Sequence, residues 1–363
     1  MSPGGAPRVL PGDDPAAIAE AAALLRTGRL VAFPTETVYG LGANALDAAA
    51  VARVFAAKER PSFDPLIVHL ADASDLAAHA EADDAADPRV ARLADRFWPG
   101  PLTLVLRRRP HIPGIVTAGL PTVGLRVPDH PVARALIRAA GVPVAAPSAN
   151  RFGRVSPTRA AHVARGLGDR VDVVLDGGPC RVGVESTVVL LAEGRALLLR
   201  PGGLPTEAIE AEIGPLGSVA EDDPDAASLA PGRAGAHYAP GVVVEIVDPF
   251  DPPTSLALRA RPGERLGLLA ASAAGAAAAL RTGGPFAVVQ VLSEDGDPVA
   301  VAARLFDALH DLEAAGLDRI LAQPVAPVGL GRAVMDRLGR AALAARAGWA
   351  GKVADPAAGR ARQ

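Results

Sequence analysis

The sequence predicts an α/β protein of two domains, and three observations carry the prediction. Short apolar runs alternate with helical or loop segments as far as about residue 210, an acidic Pro/Gly/Ala-rich stretch interrupts them, and a second strand–helix rhythm starts after Gly241. The 363 residues suit roughly two domains, and 50% apolar content is enough for real cores.

In the first domain, residues 14–210, the strand candidates are Leu30–Phe33, Leu66–Leu70, Leu102–Leu106, Val123–Val127, Val142–Ala146, Val171–Leu175 and Thr187–Leu191. They predict one α/β domain built on a sheet, preceded by a tail over residues 1–13. Residues 211–240 read as a linker. In the second domain, residues 241–350, the order is strand Val242–Val247, strand Arg265–Leu269, an Ala-rich helix, strand Phe286–Leu292, helix Val299–Ala315, strand Arg319–Gln323 and a helix after Gly331. Such βαβ alternation predicts a small doubly wound, Rossmann-like domain. Residues 351–363 read as a frayed tail. Gly329-Leu330-Gly331 lacks the third glycine of a dinucleotide fingerprint and reads as a turn. Gly40-Leu41-Gly42 fails the same test, and no P-loop occurs.

Composition narrows the function. A net charge of -3 and 3% aromatic residues argue against a broad nucleic-acid surface. Cys180 is the sole cysteine, which leaves neither a disulfide framework nor a Cys-based zinc site and fits a reducing compartment. No secretory signal is read at Met1, and the apolar run Leu268–Leu280 is too short to span a bilayer, so a cytoplasmic protein without membrane insertion is expected.

The most informative stretch is Pro34-Thr35-Glu36-Thr37-Val38-Tyr39-Gly40-Leu41-Gly42 followed by Lys58-Glu59-Arg60. A strand runs into a hydroxyl-rich Gly loop, then a helix with Asp47 as N-cap and Val51, Val54 and Phe55 on its buried stripe. Lys58 falls on the same stripe. It either snorkels outward from the helix end or faces an anion, because a buried unpaired ammonium costs several kcal/mol. Only Lys58 and Lys352 are lysines among 37 basic residues, which favours a dedicated role.

His69 lies within an apolar strand, as a core histidine or at a strand end facing a pocket. Arg126 points to the face opposite Val123, Leu125 and Val127, toward either an internal acid or a bound carboxylate. Ser148-Ala149-Asn150 follows a strand's C-terminal end, where binding residues often sit. Ser156-Pro157-Thr158 reads as N-cap, N1 proline and helix entry, a start that also binds phosphate. Gly183–Thr187 is a turn into a strand, and Arg200-Pro201-Gly202 ends one in a cation.

Taken in order, these segments resemble the YrdC-like family of threonylcarbamoyl-AMP synthases in its long form with a C-terminal domain. Pro34–Gly42, Lys58-x-Arg60, Pro65–His69, Trp98–Thr103, Thr117-Ala118-Gly119, Ala146–Asn150, Ser156-Pro157-Thr158, Asp176-Gly177-Gly178, Gly183–Thr187 and Arg200-Pro201-Gly202 carry the likeness. It resumes at His237-Tyr238-Ala239-Pro240 and at Gly329–Ala333 with Asp336-Arg337-Leu338. The resemblance implies a YrdC-like twisted-sheet domain and an enzyme joining L-threonine, bicarbonate and ATP into threonylcarbamoyl-AMP, for a tRNA threonylcarbamoyl transferase complex that modifies tRNAs reading codons that begin with adenine.

By position, the resemblance assigns Thr35, His69, Arg126, Ala146 and Ser186 to threonine. Lys58, Arg60, Thr122, Ser148, Ser156, Arg200 and Tyr238 go to ATP, with Lys58 and Arg60 as catalytic cations and Mg²⁺ accompanying the nucleotide. Catalysis would be positioning and charge stabilisation, since a carbamate oxygen attacks phosphorus without a Ser or Cys nucleophile. Where the family carries a Met and a basic residue shortly before His-Tyr-Ala-Pro, this chain reads Gly232-Arg233-Ala234-Gly235-Ala236-His237, so linker closure over the nucleotide is less expected than the pocket. Two rivals remain. One is an RNA-binding translation factor using the same concave surface, which would also account for a weak tRNA contact. The other is a carbamoyltransferase domain, whose relatives carry the cysteine-rich zinc modules missing here.

Overall fold

The computed structural model describes residues 6–192, 194–218, 237–248, 259–281 and 286–346. The chain divides into two compact units, Met1–Phe152 with Ser156–Arg233, and Gly153–Val155 with Ala234–Gln363.

The first unit is built on an 11-stranded mixed sheet among the described residues. Its order is Arg8–Pro11, Val173–Asp176, Val31–Phe33, Gly40–Asn44, Val144–Ala145, Ile67–His69, Thr122–Arg126, Leu102–Arg107, Thr187–Ala192, Arg195–Arg200 and Gly217–Ser218. Strand alternation sends successive side chains to opposite faces. Val31, Phe33, Val173 and Leu175 therefore enter one core with helices Pro15–Arg26 and Pro131–Ala140, while Ala32, Leu41 and Val174 enter another with helix Ala48–Lys58.

Several expectations need correction. Residues 8–11 are not tail; they pair in parallel with Val173–Asp176 at the sheet edge. The glycine stretch after Tyr39 is not a loop, because Gly40–Asn44 pairs antiparallel with Val31–Phe33. Glycine is needed there for packing, since a Cβ on Gly42 would lie 2.7 Å from Phe33. The unit also runs past residue 210, through helix Thr206–Ile213 and strand Gly217–Ser218, which pairs with Leu197 and Leu198. The expected linker from residue 219 to 236, including the divergent positions before His237, lies outside the described residues.

The second unit has a parallel four-stranded sheet in the order Val243–Ile246, Arg319–Ala322, Leu266–Ala270, Phe286–Val291, as its βαβ rhythm predicts. Helices Ala273–Leu280, Pro298–Ala314 and Leu330–Arg346 accompany the strands. Gly329 takes φ 53° and Gly331 N donates to Val328 O at 2.9 Å, so this pair is a turn into a helix. No helix among the described residues is long and apolar enough to cross a membrane.

Candidate active site

Backbone hydrogen bonds gather the sequence motifs of the first unit. Tyr39 N donates to Pro157 O, Leu41 N to Pro147 O, Ala149 N to Tyr39 O and Val182 N to Glu36 O, all at 2.8 Å. Residues 34–42 are thereby tied to 146–150, to 156–158 and to the turn before Gly183. Tyr39 Oη adds a bond to Gly178 O at 2.7 Å.

One polar cluster forms around Arg126. Its strand runs beside Ile67–His69 with Arg126 opposite His69 in register, and the two short strands place both side chains at one sheet end. Arg126 Nη2 donates to Thr37 Oγ1 at 3.0 Å, and Nε donates to Gly100 O at 3.2 Å. Thr37 in turn lies 2.8 Å from Thr35 Oγ1. Arg126 Nη2 also sits 2.6 Å from Glu36 Oε1. Arg126 therefore has an internal acid, as one of the two readings of the sequence required. Its Nη1 makes no hydrogen bond among the described residues. His69 is buried, and its proton affinity falls to a pKa of about 3, first through burial and then through the Arg126 charge. It is a neutral ring at physiological pH. Ala146 N donates to Ile67 O at 2.9 Å, which brings Ala146 to the same strand ends.

A second cluster centres on Ser186. Its Oγ is 2.8 Å from Thr103 Oγ1, and Arg200 Nη2 donates to Ser186 O at 2.9 Å. Gly202 makes this approach possible, because a Cβ there would lie 2.3 Å from the Ser186 carbonyl carbon.

The third cluster holds Lys58. Asp47 caps its helix by accepting from Ala49 N and Ala50 N, and the apolar stripe turns Lys58 inward until it is only 1% exposed. Nζ donates to Ser148 O and Asn150 O, each at 2.5 Å, and no carboxylate among the described residues lies within ion-pair distance. Burial first, then the Arg60 charge, holds the Lys58 ammonium well below the usual lysine range, while Asp64 and Glu185 oppose that shift. Ser156 Oγ donates to Glu185 Oε1 at 2.5 Å nearby in the chain's bonding pattern.

Arg60 carries an acid partner of its own. Its Nη2 pairs with Asp64 Oδ1 at 2.9 Å, and its guanidinium donates to Asp64 O and Pro65 O. Its charge is thus matched by the protein's own acid, and it anchors the loop after the helix. Ser156 is not an N-cap, since the following helix is Ala160–Leu167 with Arg159 at its cap. Thr122 opens strand Thr122–Arg126, four residues from Arg126 at the strand's other end, and lines a small cavity with Thr103, Thr117 and Gly124. Tyr238 belongs to the second unit, where it takes φ 60° and its ring stacks on Phe306 at 5.7 Å with the Arg337 guanidinium 5.1 Å above.

Sequence reading overlooked Glu36, Thr37, Thr103 and Glu185, although every one sits inside a motif it quoted. Among the described residues no group of three or more His, Cys, Asp or Glu could hold a metal ion.

The Sua5/YciO/YrdC family model, described as telomere recombination, matches residues 23–202. A second model, described as the threonylcarbamoyl-AMP synthase C-terminal domain, matches residues 204–343. The chain is 44% identical to a threonylcarbamoyl-AMP synthase of Bacillus subtilis over 331 residues, covering 90% of this chain and 92% of that one. The Schizosaccharomyces pombe protein of the same name is 36% identical, covering 92% and 90%. The crystal structure of Pyrococcus abyssi Sua5 complexed with L-threonine superposes with a TM-score of 0.80 at 42% identity, covering 90% of this chain and 94% of that one.

Proposed function

Because the chain belongs to the Sua5/YciO/YrdC family, in the long form carrying the threonylcarbamoyl-AMP synthase C-terminal domain, we propose that it makes threonylcarbamoyl-AMP and diphosphate from L-threonine, bicarbonate and ATP. The product feeds a tRNA threonylcarbamoyl transferase complex. The observation that carries this reading is Lys58, a cation buried to 1% exposure whose hydrogen bonds among the described residues go to carbonyl oxygens alone. Such a group is costly until an anion arrives, and an ATP phosphate supplies one.

Threonine is held by its carboxylate on Arg126, with Thr35, His69, Ala146 and Ser186 around it. ATP is held by Lys58, Ser148, Ser156, Thr122 and Arg200, and the family likeness adds Tyr238 to the nucleotide contacts. Arg60 contributes mainly by fixing the loop that follows Lys58, given its pair with Asp64. The threonine nitrogen condenses with bicarbonate to a carbamate. A carbamate oxygen then attacks the α-phosphorus, and the bond to the diphosphate leaving group breaks. This is adenylyl transfer, and the cations neutralise charge that grows on the phosphoryl oxygens.

The test is diphosphate release by the full chain with ATP and bicarbonate, with and without L-threonine. Threonine-dependent release is expected. Lys58→Ala should lower it at least about 100-fold, the scale of losing one charge-stabilising donor. Arg126→Ala should chiefly raise the KM for threonine; a rise confined to the KM for ATP would reverse the two subsites. Tight, salt-sensitive tRNA binding without threonine-dependent release would instead mark an RNA-binding factor.

A further inference from the structure

Glu36 is fully buried, and neither of its carboxylate oxygens accepts a hydrogen bond among the described residues. Its one ion pair among the described residues is with Arg126 Nη2, 2.6 Å away. A carboxylate stripped of water and left without donors is unfavourable unless something else satisfies it. Sequestering Arg126 alone would not require it, since Thr37 and Gly100 already fix that guanidinium through hydrogen bonds.

An adjacent buried cation and anion form a dipole of a particular kind. A free α-amino acid presents the reverse arrangement, a carboxylate beside an ammonium. We propose that Glu36 is a catalytic residue that binds the threonine ammonium and takes its proton, while Arg126 holds the carboxylate. This inference rests on the reaction assigned above. It answers a chemical requirement of that reaction, because an ammonium has no lone pair with which to attack bicarbonate.

The step balances as follows. A threonine N–H bond breaks and its proton forms an O–H bond on Glu36, leaving a neutral amine. The amine and bicarbonate then form a C–N bond while one C–O and one N–H bond break, and the departing hydroxide takes the amine proton, giving the carbamate and one water. Glu36 returns its proton to solvent when the product leaves.

The groups that feel the Glu36 charge are Arg126, His130 and Cys180, and His130 also faces Asp129 and Arg181. Burial lowers the His130 pKa and raises that of the Cys180 thiol.

The experiment compares wild type and Glu36→Gln at saturating threonine over that range. At pH 7.5 the variant's kcat should fall at least about 100-fold, the usual contribution of a general base. The ratio of variant to wild-type rate should then climb about tenfold per pH unit, as solution supplies the free amine that Glu36 no longer makes. Unchanged kcat, a loss confined to KM, or a flat ratio would overturn the inference, the last two marking a residue that only positions Arg126. If Glu36→Gln fails to fold, Glu36→Asp decides: a retained base predicts a flat ratio, and an alkaline climb refutes it. A wild type without threonine-dependent diphosphate release would sink the assigned reaction itself, whereas a normal wild type with an indifferent Glu36→Gln sinks only the role of Glu36.

Discussion

Burial lowers the proton affinity of both His69 and Lys58, and for His69 the consequence for stability can be followed with pH. For His69 the folded pKa is about 3 against an ordinary 6.5. Above pH 6.5 the ring is neutral in the folded and unfolded chains alike, so it adds no pH dependence. As pH falls below 6.5 the unfolded chain takes up a proton that the folded chain refuses, and stability drops until about pH 3. The full difference corresponds to about 5 kcal/mol. His69→Gln should therefore flatten the fall in stability between pH 6.5 and 4, read as urea midpoints of variant and wild type; parallel curves would show that His69 is protonated when folded. The sequence left His69 between core and pocket, and left Arg126 between an internal acid and a ligand. Both ambiguities come from the same source, since the neighbour that decides them lies far away in the chain. Glu36 stands in a quoted motif, but nothing local shows that it turns toward Arg126.

Elements were legible in proportion to their length and period. Helix Ala48–Lys58 matches its cap and apolar stripe, and the second unit's strands and helices match theirs, because each repeats its signal over several residues. Strands Gly40–Asn44 and Arg8–Pro11 were not legible, since glycine has no side chain to alternate and an edge strand has little apolar face. Ser156 misled because Ser-Pro looks like a helix start even where the serine bonds Glu185. Gly202 shows what a motif glycine can do between elements. A methyl group there would press to 2.3 Å on both the Ser186 carbonyl carbon and Thr187 N, and to 2.4 Å on Glu185 O. Backbone cannot rotate aside as a side chain can, so the strand end bearing Arg200 must separate from the Ser186 turn. Gly202→Ala should cost about 3 kcal/mol or more and depress turnover together with stability. Gly114→Ala, with no atom within 4 Å of the added carbon, should stay within about 0.5 kcal/mol. Equal melting temperatures for the two variants would refute the close approach.

At the scale of the whole molecule, each unit closes its own core, and the first one also closes around cations. Lys58, Arg126 and Arg200 are each less than 5% exposed. Anions that bind only the folded chain stabilise it by mass action, about 2.7 kcal/mol at a concentration one hundred times Kd. For units of this size that is a rise of several degrees in melting temperature. ATP and threonine should each raise it separately. Tyr238 is testable in the same way, since it has a left-handed backbone, φ 60°, and a ring in contact with Phe306 and the Arg337 guanidinium. A bulky residue held at such a φ is strained, and strain of that kind persists where surrounding contacts fix a functional side chain. Tyr238→Ala will lose packing, so each ligand shift must be read against the variant's own unliganded midpoint. On that scale the ATP shift should shrink while the threonine shift, which depends on Arg126, persists. An undiminished ATP shift would remove Tyr238 from the nucleotide contacts.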